Sequence, residues 1–80
     1  MRVEVRLYAT FAQFAPSQKA GDVFDVQLDT GGSILELIHT IGVPEAEVHL
    51  TIVNGRIIHD RSQALSESDR VALFPPVGGG

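Results

Sequence analysis

Residues 2–8 (Arg2, Val3, Glu4, Val5, Arg6, Leu7, Tyr8) alternate strictly, with the period of a strand that has one buried face. Val3, Val5 and Leu7 share one side; Arg2, Glu4, Arg6 and Tyr8 share the other. A looser stretch with Phe11 and Phe14 leads to Pro16 and a polar turn through Lys19, Gly21 and Asp22. Alternation resumes at Phe24, Val26 and Leu28, which predicts a second strand folded back on the first. The opening therefore reads as a hairpin with a long, partly packed connection. Residues 10–19 hold more Phe and Ala than a turn requires, and the pattern assigns them no element.

Gly31 and Gly32 end the alternation and Ser33 starts a helix. Ser33 and Glu36 have the spacing of a capping box, in which each side chain serves the other end's free N–H. Ile34, Leu35, Leu37, Ile38 and Ile41 form an apolar stripe, with Glu36, His39 and Thr40 pointing away from it. Gly42 suits the left-handed residue past a helix end, and Pro44 stops resumption. Further on, residues 50–53 and 57–58 flank Asn54-Gly55, a strong hairpin signal. Residues 64–70 are polar and turn-rich, with Leu65 as a buried anchor. Residues 71–74 make a last strand, halted by Pro75-Pro76. A meander plus one crossing helix predicts an α+β domain, a sheet with a helix on one face.

The 80-residue length suits one domain. The absence of cysteine removes disulfides, iron–sulfur clusters, cysteine-based zinc sites and thiol nucleophiles from consideration. A net charge of −4, with one lysine and five arginines, argues against nucleic acid as a partner. The charged alternation at the start resembles neither a signal peptide nor a membrane span, so a soluble, cytoplasmic domain with no membrane partner is expected. His39, His49 and His59 recur every ten residues, a spacing with no meaning for ligation, and no metal site is expected. Glu45 and Glu47 read as a solvated loop, Asp60 and Asp69 as turn residues, Asn54-Gly55 as a turn alone and Ser33 as a cap with no histidine placed to activate it.

The informative segment is Leu73-Phe74-Pro75-Pro76-Val77-Gly78-Gly79-Gly80. Two prolines cannot donate to a sheet ladder and each fixes φ, so the chain leaves the sheet as a stiff extended piece. Extended at about 3.3–3.6 Å per residue, the stretch from Pro76 to Gly80 reaches roughly 17 Å. Beyond Val77 no side chain widens it, so an α-carboxylate on Gly80 would ride at the end of a thin probe able to enter a narrow channel. Terminal glycines are often only a frayed tail, but fraying gains nothing from a rigid spacer set on a buried strand.

These residues resemble the MoaD family, the small subunits of molybdopterin synthase, which end in FPP, Val, one variable residue and Gly-Gly. Leu7-Tyr8-Ala9 matches the end of the family's first strand, and Val53-Asn54 its hairpin. Ser68-Asp69-Arg70-Val71 stands where Gly-Asp-Glu-Val is more usual. The related thiazole carrier ThiS lacks the double proline. The resemblance implies a single ubiquitin-like β-grasp domain over residues 1–80, with a mixed sheet of four to five strands packed on one helix and an extended tail at 75–80. It further implies a sulfur carrier: a MoeB-like adenylyltransferase related to the ubiquitin activators would use ATP to adenylate Gly80, and a sulfur donor would convert it to a thiocarboxylate. A MoaE-like large subunit would then draw in Pro75, Pro76, Val77, Gly78 and Gly79 and pass the sulfur to a pterin precursor of the molybdenum cofactor. No cofactor is held permanently. An α-carboxyl, with a pKa of roughly 3.3–3.7, is an anion at neutral pH and a poor electrophile, which is why activation precedes transfer. Without cysteine, sulfur has no side chain to ride on.

Strand parity adds a surface. Phe74 points with Ala72 away from Val71 and Leu73, and Tyr8 away from Val3, Val5 and Leu7. One of Ile57 and Ile58 faces outward, and the family match selects Ile57. Because the first and last strands of a β-grasp sheet run side by side, Tyr8, Ile57 and Phe74 are expected in one exposed apolar patch near the tail root, a partner interface. Three other readings remain open: sulfur donation to a thiazole (thiamine), cysteine or tungsten-cofactor pathway; a ubiquitin-like protein modifier joined by an isopeptide bond; and a plain interaction module with an incidental tail.

Overall fold

The computed structural model describes residues 1–76. The alternating segments form β1 (Arg2–Leu7), β2 (Phe24–Gln27), β3 (Leu50–Val53), β4 (Arg56–Ile57) and β5 (Arg70–Phe74), with the helix α1 over Ile34–Ile41. The sheet order is β2-β1-β5-β3-β4, in which only β1 and β5 run parallel. This is the mixed five-stranded sheet of a ubiquitin-like β-grasp. The meander expected from chain order is therefore corrected. β5 does not follow β4 at the edge but lies between β1 and β3, because β4 has only two exposed residues and makes an edge, while the apolar β5 has ladders on both sides.

The helix behaves as its sequence requires. Ile34, Leu37 and Ile38 are buried against the inward row Val3, Val5, Leu7, Val53, Val71 and Leu73. Ser33 Oγ accepts from Glu36 N–H at 3.1 Å, and Gly42 takes φ 93° at the far end. Only half of the capping box forms: among the described residues Glu36 returns no bond to Ser33, and the segment is tied to residues 63–65 through Ile34 N–H to Gln63 O and Leu65 N–H to Gly32 O. Residues 10–19 also receive an element. Ala9–Phe14 is a short 3-10 helix that inserts Phe11 into the core, where it is 1% exposed. The expected strand at 57–58 starts and ends one residue earlier, and Ile58 drops out of the ladder to pack partly on the core.

The loops are tied by their own polar side chains. Asp60 accepts from Ser62 N–H at 2.9 Å and from the Ser62 hydroxyl, and these bonds hold its carboxyl below the ordinary value of 3.8. Arg61 donates to the carbonyls of Glu45 and Val48. His39 Nε2 lies 2.9 Å from Glu45 Oε1, joining the helix end to the 3-10 turn Glu45–Glu47. Asn54 and Gly55 have φ 51° and 83°, the paired left-handed turn of a tight hairpin. Asn54 is more than a turn residue, however: its amide donates to Asp69 Oδ1 at 2.8 Å and its carbonyl oxygen accepts from Arg70 N–H at 2.9 Å. It thus staples the hairpin to the start of β5. No helix among the described residues is long and apolar enough to cross a membrane.

Candidate functional site

With the inward rows committed to the core, the opposite side of the sheet is left bare. The ladders Arg6↔Ala72, Ile52↔Ala72 and Ile52↔Ile57 set these residues in one row across four strands. The next row toward the ends of β1 and β5 holds Leu50 and Phe74, which are register partners. Tyr8 closes the row, stacked on Phe74 with ring centroids 4.5 Å apart and planes 7° from parallel. Tyr8, Leu50, Ile52, Ala72 and Phe74 are each half-buried by one another, and Ile57 is 55% exposed. The charged strand residues of this face are Arg2, Glu4 and Arg6 on β1, Asp25 on β2 and Arg70 on β5, of which Arg2 pairs with Asp25 at 3.5 Å.

Tyr8, Ile57 and Phe74 thus share the predicted face. Tyr8 and Phe74 touch, whereas Ile57 joins them only through Ile52, with Ala72 alongside. The sequence reading missed Leu50 and Ile52, although the same parity that singled out Ala72 and Phe74 applies to residues 50–53, whose Thr51 and Val53 are buried. Backbone bonds fix the position of the stack. Tyr8 N–H donates to Leu73 O at 3.3 Å, Phe11 N–H to Tyr8 O at 3.1 Å, and His49 N–H to Phe74 O at 2.9 Å.

The chain leaves the sheet beside this stack. Pro75 continues the alternation of β5 and is buried, whereas Pro76 is exposed. Exposure accordingly begins at Pro76, one residue later than the double proline suggests, and Pro75 belongs to the packed sheet. Val77, Gly78, Gly79 and Gly80 lie outside the described residues. Among the described residues no three His, Asp or Glu side chains converge as a metal-ligand group. What the geometry offers is an apolar, partly aromatic sheet face at the root of a proline-led segment. Such a surface is suited to docking against another protein rather than to acid–base chemistry of its own.

The fold and this face define a ubiquitin-like β-grasp domain. The family model described as Mut7-C ubiquitin matches residues 1–78, and the chain belongs to that family. Among solved structures, it is similar to a putative molybdopterin converting factor subunit 1 from Pyrococcus furiosus, at 27% identity and TM-score 0.72 over 96% of this chain and 99% of that one. SAMP1 from Haloferax volcanii has TM-score 0.74 at 20% identity, with 100% of both chains covered. A complex of subunits 1 and 2 of molybdopterin-converting factor from Helicobacter pylori has TM-score 0.62 at 22% identity, again with 100% of both chains covered. No curated protein sequence matches. The resemblance to the MoaD family read from the sequence agrees with the matching ubiquitin family and with these neighbours.

Proposed function

We propose that this domain is a sulfur carrier whose reactive group is the carboxyl of Gly80, working as the small subunit of a molybdopterin synthase. The observation that carries the reading is the convergence of the apolar face on the tail root, where the Tyr8–Phe74 stack leads into the buried Pro75 and the exposed Pro76. A partner that grips this face meets the start of the proline-led segment at Pro75 and Pro76. In the activation step a Gly80 carboxylate oxygen bonds to the α-phosphorus of ATP and pyrophosphate leaves, a reaction assigned to a MoeB-like adenylyltransferase. A donor's sulfide equivalent then displaces AMP, leaving a thiocarboxylate. Val77, Gly78 and Gly79 are the stretch that enters a MoaE-like large subunit. The likeness to a putative molybdopterin converting factor subunit 1 and to a chain described in a complex of subunits 1 and 2 supports this choice of pathway and partner.

The test is intact-mass spectrometry of the chain incubated with an adenylyltransferase of this class, ATP and a sulfur source. The expected product is heavier by one oxygen-to-sulfur exchange, localised to Gly80 by fragmentation. Unchanged mass with several such activators overturns the reading. A second reading, conjugation to proteins, is favoured by the similarity to SAMP1, described as a small archaeal modifier protein. It requires an isopeptide adduct between Gly80 and a target lysine, whereas sulfur transfer returns the carrier unmodified. A plain interaction module would keep its binding and function when Gly80 is deleted.

A further inference from the structure

At the centre of the outer face the sheet has a dent. Ala72 is the smallest side chain of that face and sits on the central strand between Arg6 of β1 and Ile52 of β3. Around it opens a depression of about 320 Å³, lined by Arg6, Tyr8, Ile52, Gly55 and residues 70–72. Its apolar wall comes from Tyr8 and Ile52, and its charged wall from the two arginines. Among the described residues neither Arg6 nor Arg70 makes an ion pair. Glu4 is opposite Arg70 in the ladder, yet the two do not pair. Among the strand residues of the outer face, with the Arg2–Asp25 pair set aside, Glu4 stands against Arg6 and Arg70, a net excess of one cation. The whole chain, by contrast, carries −4. The two unpaired cations border this partly apolar dent.

We infer that the dent over Ala72 docks a partner-protein segment that presents an apolar side chain next to carboxylates. The apolar group fills the space above Ala72, and the carboxylates meet Arg6 and Arg70, whose planar forks favour that geometry. The acidic remainder of the chain repels the same segment elsewhere, so charge fixes where and in which orientation it lands. This inference deepens the carrier reading and rests on it for the choice of a protein as the occupant.

The test is an amide NMR titration of the isotope-labelled full chain with a capped peptide, Gly-Glu-Leu-Glu-Gly, and with the same peptide carrying Gln for Glu. Expected are shifts concentrated at Arg6, Ile52, Gly55, Arg70 and Ala72, with affinity for the Gln peptide weaker by roughly tenfold. Ala72→Leu fills the dent from the solvent side without entering the core and should weaken the acidic peptide by a similar factor, about tenfold. The double variant Arg6→Gln, Arg70→Gln should erase the preference for Glu over Gln while an unchanged melting temperature shows the fold intact. Equal binding of both peptides, shifts centred on Val53, Gln63 and Ser66 instead, or equal shifts with inorganic phosphate each overturn the inference. Sulfur loading of Gly80 on the same preparation separates the two readings. Loading without peptide docking overturns the acidic partner alone, and docking without loading overturns the carrier alone.

Discussion

Ser68 sits at φ 67°, in the left-handed region where a side chain is crowded, at the position where the MoaD pattern more often has glycine. It is held there because Ser68 N–H donates to Arg2 O at 2.7 Å and the next residue, Asp69, accepts from Asn54 and Ser66. Its side chain is exposed and makes no hydrogen bond among the described residues, so nothing offsets the strain. Replacing it by glycine removes the crowding at the cost of a looser unfolded chain, and the balance favours the folded state by up to about 1 kcal/mol. Urea denaturation of Ser68→Gly should show a higher midpoint with an unchanged slope. A lower midpoint would mean that the serine conformation carries no strain.

At the scale of elements, the strands and the helix were legible because each obeys one period. Val3, Val5 and Leu7 on β1, and Ile34, Leu37 and Ile38 on α1, are buried as their spacing requires. The 3-10 helix Ala9–Phe14 was not legible. Six residues make two turns at most, too few for a period to emerge, and its start depends on a left-handed Ala9, which sequence does not announce. Phe11 was visible as an apolar residue but not as a core residue, because its burial comes from packing against distant strands. A single core of this size leaves roughly 3–5 kcal/mol of net stability. Truncating a buried Phe costs about 3–5 kcal/mol. Phe11→Ala should therefore abolish the cooperative melting transition seen by circular dichroism. The place of β5 beside β1 came from the family resemblance and not from the pattern, because two apolar strands look alike in sequence whether they neighbour each other or a third. Of the site, parity exposed Tyr8, Ala72 and Phe74, but the dent needs the register of three strands, which no single segment encodes.

For the whole molecule, the carrier reading predicts that folding and presentation separate along the chain. The buried hydrophobic core runs from Val3 to Leu73, and Pro75 closes it. A chain ending after Pro76 should melt within about 2 °C of the full one, a shift below that of the roughly 1 kcal/mol typical of a structural mutation. It should equally keep the docking of the acidic peptide. A large drop in melting temperature would make residues 77–80 part of the folded unit.

The strand that precedes the tail is also the one on which both halves of the sheet converge. β1 and β3 have no ladder with each other and meet only through β5, which is translated after them. During biosynthesis the two hairpins must therefore wait, their central edges open, until the ribosome releases the last segment. A nascent or cleaved polypeptide lacking that segment has no outer face and no launch point. Any enzyme that recognises the assembled sheet before touching the glycines is thereby also inspecting whether its client was finished and correctly folded.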